Sequence, residues 1–190
     1  MADQRAIAFE DRTVVVKTMD DRYTVSDCPQ EPTHYEVLQR RNSTRCAGMG
    51  VSGTPIREVT ADARKRYGNC AVLAWDGDIV VGISTFFPVE DLSERKAYGW
   101  DMMEAYLGTG TLAVASCVLC SLSGHQYRGK GIGRAMAKQM IEWAKQRAYR
   151  QIGVFEVTSG LTTSHWEDAC RPPMPFWQRL GFSVVGVRER

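Results

Sequence analysis

The stretch Gly124-His125-Gln126-Tyr127-Arg128-Gly129-Lys130-Gly131-Ile132-Gly133 decides how this chain of 190 residues is interpreted. It follows a long apolar run, Thr111 to Leu122, which has the composition of a buried β-strand. After it, apolar residues recur every three or four positions from Ile132 to about Tyr149, which predicts an amphipathic helix. The sequence therefore predicts a strand, a glycine-rich turn and a helix in direct succession.

A glycine-rich turn between a strand and a helix is typical of a phosphate-binding site. Its backbone N–H groups point outward at the positive end of the helix dipole. The turn contains three glycines, Gly129, Gly131 and Gly133. A side chain at these positions would keep phosphate oxygens from reaching the amides. Arg128, Lys130 and Arg134 are expected to add positive charge around the turn.

Spacing separates three phosphate motifs that compete for these residues. The P-loop pattern is nearly met from Gly124 to Lys130, but Gly131 stands where a Ser or Thr must bind magnesium. The dinucleotide-binding pattern G-x-G-x-x-G fails because its last position falls on Arg134 or Met136, depending on the glycine that begins it. The pattern R-x-x-G-x-G is met without exception, from Arg128 to Gly133.

This pattern, preceded by Tyr127 and followed by a helix, resembles the acetyl-CoA signature of the GNAT superfamily of N-acetyltransferases. A second likeness is Phe176-Trp177-Gln178-Arg179-Leu180-Gly181-Phe182, which is similar to the family's penultimate helix and its Leu-Gly-Phe ending. The order of predicted elements also resembles that of the family. The resemblance covers roughly residues 56 to 187. It implies an α/β (α+β) fold with a GNAT-like mixed, mostly antiparallel central sheet flanked by helices on both faces.

The other elements are predicted from periodicity and turn residues. They are a strand at Thr13–Lys17, a helix at Ile56–Tyr67 closed by Gly68, hairpin strands at Cys70–Trp75 and Asp78–Phe87 around Asp76-Gly77, a strand at Ile152–Val157, a short helix at Pro173–Leu180 stopped by Gly181, and a closing strand at Phe182–Val187. No internal repeat or low-complexity tract interrupts this order. We therefore expect one domain over residues 1–190, with its core at about 56–187.

Composition and charge argue against several classes of protein. The 24 basic and 22 acidic residues are scattered, so no basic stripe favours nucleic acid. No apolar run approaches the roughly 18 to 20 residues of a membrane span, and Met1 to Arg12 is unlike a signal peptide. We expect a cytoplasmic protein that binds neither nucleic acid nor membrane. Cys117 and Cys120 have metal-like spacing, but on a strand they point to opposite faces, so no metal site is predicted.

The family resemblance implies how the turn and its neighbouring strands bind acetyl-CoA. The pyrophosphate would be held by the amides of Arg128, Gly129, Lys130, Gly131, Ile132, Gly133 and Arg134. The strand end at Cys120 to Ser123, with Leu122 and Ser123 as contacts, would pair with the pantetheine arm. In this family the two central strands splay apart. The acetyl thioester would therefore lie between Ser116–Leu122 and Ile152–Val157.

Direct attack of an amine on a thioester requires a base or water chain, donors for the oxyanion and an acid for the thiolate. Glu156 is the candidate base, because burial beside the thioester would raise the pKa of a carboxyl group. An exposed or ion-paired strand glutamate is the alternative interpretation. The family often places a tyrosine acid on the penultimate helix, and the matching residue here is Trp177, whose indole N–H is no practical acid.

The first functional hypothesis is an acyltransferase that moves the acetyl group of acetyl-CoA to a primary amine of a small molecule, within a ternary complex. Acetylation of a protein or peptide amine is an open alternative. A non-catalytic acyl-CoA sensor is another, and Trp177 in place of tyrosine is compatible with it. A nucleotide-binding protein is a third, against which the missing Ser or Thr argues. Homodimers are common in the family, although no segment of this sequence specifies one.

Overall fold

The computed structural model describes residues 4–10, 12–19, 56–94, 105–119, 124–154 and 172–187. The elements are, in chain order, β1 (Arg5–Phe9), β2 (Arg12–Thr18), α1 (Ile56–Tyr67), β3 (Ala71–Asp76), β4 (Ile79–Pro88), α2 (Val89–Glu94), β5 (Thr111–Leu119), a 3₁₀ helix (Gly124–Tyr127), α3 (Ile132–Gln146), β6 (Gln151–Val154) and α4 (Met174–Gln178). Within these ranges no helix is long and apolar enough to span a membrane.

The six strands form one sheet in chain order, from β1 at one edge to β6 at the other. Each neighbouring pair from β1 to β5 is antiparallel, whereas β5 and β6 are parallel. A parallel pair needs a crossover connection, and α3 supplies it between β5 and β6. The predicted mixed, mostly antiparallel sheet is confirmed.

Hydrophobic clusters lie on both faces of the sheet. Alternation along β3 sends Val72 toward one face and Leu73 toward the other, and both are fully buried. Val72 belongs to a cluster with Met140 of α3. Leu73 belongs to a second cluster with Ala63 of α1. Helices therefore cover both faces, which confirms the predicted fold class.

The three predicted helices are found, with small differences at their ends. α1 has the predicted bounds, and Gly68 follows it in the left-handed conformation with φ 81°. α3 ends at Gln146 rather than near Tyr149, because Ala148 turns the backbone to a φ of 57°. A positive φ is incompatible with a continuing right-handed helix. α4 lies within the predicted range, and Gly181 follows it with φ 92°.

The N-terminal strand prediction was incomplete. The structure places β2 over the predicted Thr13–Lys17 and adds β1, which pairs with it in antiparallel register, Ile7 opposite Val14. β1 was not predicted because the first residues of the chain are mostly polar. Ile7 and Phe9, two positions apart, pack against the core, and this alternation could have indicated the strand.

The hairpin between β3 and β4 turns one residue later than predicted. Asp76 pairs with Ile79, so the two loop residues are Gly77 and Asp78 rather than Asp76 and Gly77. Gly77 supplies the left-handed φ of 57° that the turn requires. Asp76 stays in the strand, where its carboxylate accepts a hydrogen bond from Tyr127. The hydrogen bond between Asp76 and Tyr127 is therefore made by a residue that was predicted to lie in the turn and instead lies in the strand.

The predicted closing strand at Phe182–Val187 is wrong within the described part of the chain. The segment has no regular secondary structure, and three of its valines are more than half exposed, Val184, Val185 and Val187. Apolar alternation is a local property, whereas a strand requires a partner for its backbone hydrogen bonds. None of the described segments pairs with these residues.

Cys70 directly precedes β3 and leads to a prediction about stability at high pH. Its side chain is buried, and burial raises the pKa of the thiol to about 12. The raised pKa means that the folded chain keeps this proton after the unfolded chain has lost it. The contribution to stability is therefore fully present below about pH 9 and is lost as the pH rises toward 12.

Between about pH 9 and about pH 10.5 this thiol should remove about 2 kcal/mol from the free energy of unfolding, since each pH unit between the two pKa values corresponds to about 1.4 kcal/mol. Urea unfolding at a series of pH values measures it. Cys70→Ala removes the thiol, so its stability should decline less steeply over the same range. Parallel pH profiles for the two proteins would contradict the prediction.

Candidate functional site at the glycine-rich turn

The chain reaches the turn through the 3₁₀ helix at Gly124–Tyr127 and leaves it at Ile132, the first residue of α3. Gly129 and Gly131 have φ values of 73° and 84°, in the left-handed region that side chains disfavour. Gly133 is already helical, and a Cβ there would lie 3.8 Å from the ring of Phe176. The backbone thus favours glycine at two positions, whereas a side chain at the third would make only an ordinary contact with α4.

The surface of the turn is open. A Cβ built on Gly129 or Gly131 would meet no heavy atom within 4 Å. The first helical hydrogen bond of α3 is donated by the backbone N–H of Ala135 to the carbonyl of Gly131, at 3.0 Å. The amides before it have no acceptor within the helix, and the first turn carries no acidic side chain. The turn is therefore able to accept an anion.

The cations of the turn differ in their surroundings. The side chain of Arg134 is exposed, while Arg128 is half-buried. Lys130 forms an ion pair with Glu10, with 3.0 Å between Nζ and Oε1. Its ammonium also lies 5.5 Å from the ring centroid of Phe9. No sequence pattern connects Glu10 with this site, because it lies 120 positions away from Lys130 in the chain.

Tyr127 anchors the turn to the sheet. Its ring is buried, and its hydroxyl donates a hydrogen bond to Oδ2 of Asp76 at 2.6 Å. Arg12 donates to the same hydroxyl at 3.2 Å and lies 3.4 Å from Oδ2 of Asp76. Burial, together with the hydrogen bond to Asp76, raises the pKa of Tyr127. The hydroxyl therefore stays a neutral donor that ties the turn to β2 and β3.

Tyr127→Phe should lower the free energy of unfolding by about 1 to 2 kcal/mol, because it removes the donor and leaves the Asp76 carboxylate less well bonded. Chemical unfolding at neutral pH measures the loss. Tyr106→Phe is the matched control, since Tyr106 is more than half exposed. An equal and negligible effect of both substitutions would show that the Tyr127 hydroxyl does not anchor the turn.

The two central strands, β5 and β6, are parallel neighbours. All four described residues of β6 pair with β5, from Thr111 to Val114, and β5 continues to Leu119 in contact with β4. Ala115 is an extra residue in the ladder with β4, since Ser116 pairs with Thr85 and Val114 pairs with Phe86. Such a bulge bends a strand. The edge of β5 beyond the bulge leads toward the glycine-rich turn.

Several predicted site residues lie outside the described part of the chain. They are the coenzyme contacts Leu122 and Ser123 and the candidate base Glu156. The same holds for residues 155–157 of the strand predicted at Ile152–Val157 and for residues 120–122 of the run predicted at Thr111–Leu122. Their roles stay predictions. Within the described residues, no group of three or more His, Cys, Asp or Glu side chains is arranged to hold a metal.

Trp177 lies in the hydrophobic core and does not project from it. Its side chain is 3% exposed, and its indole N–H donates to the carbonyl of Pro172 at 3.2 Å. The rings of Phe176 and Phe182 pack edge-on against it, with centroids 5.0 and 5.2 Å away. The side chain at the expected acid position therefore has a packing role, and its only N–H is already bonded.

Comparison with known proteins shows the family and supports the fold. Residues 34–182 match the acetyltransferase (GNAT) family. An N-acetyltransferase from Staphylococcus aureus Mu50 has a similar structure, with a TM-score of 0.54 and 16% identity over 91% of this chain and 85% of its own. A transcriptional regulator from Bacillus halodurans C-125 gives a TM-score of 0.52 and 20% identity, over 93% and 97% of the two chains.

A third similar structure is an aminoglycoside acetyltransferase from an uncultured soil metagenomic sample. Its TM-score is 0.50 and its identity 11%, over 93% of this chain and 95% of its own. At these identities the likeness concerns the fold alone. No curated protein sequence matches the chain significantly.

Proposed function

Because the chain belongs to the GNAT acetyltransferase family, we propose that it transfers the acetyl group of acetyl-CoA to a primary amine of a small molecule. The observation that carries the proposal is the open turn at Gly129 and Gly131, which precedes the N-terminus of α3. The first amides of α3, which have no acceptor within the helix, face an anion in the place where the sequence signature predicts a pyrophosphate. The proposal treats residues 1–190 as one domain.

In this proposal the backbone amides of the turn hold the coenzyme's pyrophosphate. Arg128 and Arg134 add positive charge beside it. The pantetheine arm runs along β5 beyond Ala115, the end of the strand that leads to the turn. An extended arm can pair with a strand edge in the manner of an added strand. This placement brings the thioester between the two central strands, where the family resemblance implies that they splay apart.

The proposed reaction is a direct attack of the amine on the thioester carbonyl. A carbon–nitrogen bond forms, the carbon–sulfur bond breaks, and the amine loses a proton to a base, for which Glu156 is the candidate. The coenzyme leaves as a thiolate. Since a thiol has a pKa near 8.5, this leaving group is stable enough to depart without a strong acid. A tryptophan at position 177 is therefore compatible with turnover.

The proposal also names the class of acceptor, an amine of a small molecule. One similar structure is named an aminoglycoside acetyltransferase, and aminoglycosides are small molecules that carry amines. Identity of 11% does not carry that specificity to this chain, so the comparison supports only the idea that this fold accommodates such an acceptor. Protein and peptide amines are the alternative acceptors and belong in the same assay.

A non-catalytic acyl-CoA sensor is the second candidate function. The observation in its favour is Trp177, because its indole N–H is bonded to Pro172 and leaves no acid at that position. A sensor and an enzyme share the phosphate turn, so binding alone does not separate them. Turnover does, since only the enzyme releases free thiol from acetyl-CoA when an amine is present.

The test is thermal unfolding with acetyl-CoA, CoA, ATP with magnesium, and NAD in parallel. A ligand at about a hundred times its dissociation constant should stabilise the fold by roughly 2.7 kcal/mol. We expect stabilisation by acetyl-CoA and CoA alone. Thiol release is then followed against small amines and against peptides. A shift with ATP instead, or no shift with either coenzyme, would overturn the proposed function.

A further inference from the structure

An ion pair joins the turn between β1 and β2 to the glycine-rich turn. Glu10 follows β1 and has a φ of 54°, a left-handed conformation that is uncommon for residues other than glycine. Lys130 lies between the two left-handed glycines of the phosphate turn. The carboxylate and the ammonium are 3.0 Å apart. The backbone of β1–β2 thus directs a negative charge to a lysine of the candidate anion site.

We propose that Glu10 is the anionic partner of Lys130 while no coenzyme is bound, and that a coenzyme phosphate replaces the Glu10 carboxylate when the coenzyme binds. The inference rests on the proposed function and concerns the same site. Lys130 is flanked by Gly129 and Gly131, whose open surface is where a phosphate would lie. A phosphate on that surface and the Glu10 carboxylate compete for the same ammonium. Glu10 is therefore a positioning residue that acts through Lys130.

The exposure of the pair supports such an exchange. The side chains of Lys130 and Glu10 are 34% and 67% exposed, so water screens their attraction. Exposed ion pairs of this kind contribute little to stability, and breaking one corresponds to at most about a fivefold change in an equilibrium constant. A phosphate that is also held by the backbone amides can displace the carboxylate. Glu10 then lowers coenzyme affinity by a small, measurable factor.

The chain offers a matched control on the outer surface of α3. Glu142 accepts a hydrogen bond from Lys145 at 3.1 Å, in another exposed lysine–glutamate pair. Glu142 lies ten residues beyond the start of α3, which places it about 15 Å along the helix axis. That separation exceeds the Debye length of about 8 Å at physiological salt. Neutralising Glu142 therefore changes the net charge equally without reaching the turn.

The experiment measures the dissociation constant of CoA by calorimetry for the wild type, Glu10→Gln and Glu142→Gln. At low salt Glu10→Gln should bind CoA about two- to fivefold more tightly, and Glu142→Gln should match the wild type within measurement error. The advantage of Glu10→Gln should shrink at about 1 M salt, where the Debye length is about 3 Å. Unchanged or weaker binding by Glu10→Gln would overturn the inference.

A second arm tests whether Glu10 acts through Lys130. Lys130→Met should weaken CoA binding, and Glu10→Gln should gain less in that background than in the wild type. An equal gain in both backgrounds would mean that Glu10 repels the ligand directly, which overturns the exchange. A wild-type chain that fails to bind CoA would overturn the proposed function itself. Normal wild-type binding with no effect of Glu10→Gln would overturn this inference alone.

Discussion

The Gly131→Glu variant should lose at least about a hundredfold in affinity for CoA and still fold. A Cβ at this position meets no heavy atom within 4 Å, so the fold has room for the side chain. The φ of 84° imposes a backbone cost of about 1 to 2 kcal/mol, which an ordinary domain tolerates. The new carboxylate would fill the open surface of the turn. Each pair of like charges at 4 Å costs about 1 to 4 kcal/mol in a partly exposed site, which accounts for the loss.

Gly108→Glu is the matched control for this prediction. Gly108 also has a left-handed φ, 69°, and open space around its Cβ. It precedes β5, whereas the turn follows the opposite end of that strand. Calorimetry with CoA and thermal unfolding are run on both variants. We expect both to fold and only Gly131→Glu to lose binding. Normal binding by Gly131→Glu would place the pyrophosphate elsewhere.

Trp177→Ala should lower the free energy of unfolding by about 3 to 5 kcal/mol. The indole is 3% exposed and lies between two aromatic rings, so truncation leaves a cavity as well as removing apolar contacts. The carbonyl of Pro172 also loses its donor. Urea unfolding measures the change. Gln178→Ala, at an exposed position of the same helix, should change stability by less than about 0.5 kcal/mol.

Trp177→Phe separates packing from chemistry. Phenylalanine retains the aromatic contacts but has no N–H, so stability should fall by about 1 to 2 kcal/mol, far less than in Trp177→Ala. Under the proposed function, acetyl transfer should persist within about threefold, because the indole N–H is bonded to Pro172 and supplies no proton. A folded Trp177→Phe protein with normal CoA binding and no turnover would show that the indole takes part in the reaction.

Features that depend on neighbouring residues were predictable from the sequence. The bounds of α1 followed from residues typical of helix starts and from its closing glycine, and the start of α3 followed from the glycines before it. The glycine-rich turn before α3 was predictable for the same reason, since R-x-x-G-x-G indicates backbone geometry within six consecutive residues. The third glycine, Gly133, differs, because it is helical and a Cβ there would make only an ordinary contact with Phe176.

The errors arose where a local pattern depends on a distant partner. The alternation at Phe182–Val187 suggested a strand, but strand formation requires a neighbouring strand. The hairpin residues Asp76-Gly77 suit a two-residue turn, yet Asp76 remains in the strand and bonds to Tyr127, which lies 51 positions away.

The sequence by itself determined the family, the order of most helices and strands in the described residues, and the position of the glycine-rich turn, because these depend on the type and spacing of nearby residues. Only the tertiary structure decided how the site is held and how it is charged. It brought Glu10 to Lys130 and Arg12 to Tyr127, and it buried Trp177 with its N–H bonded. The physical reason is that hydrogen bonds and ion pairs act over a few ångströms in space, whatever the separation along the chain.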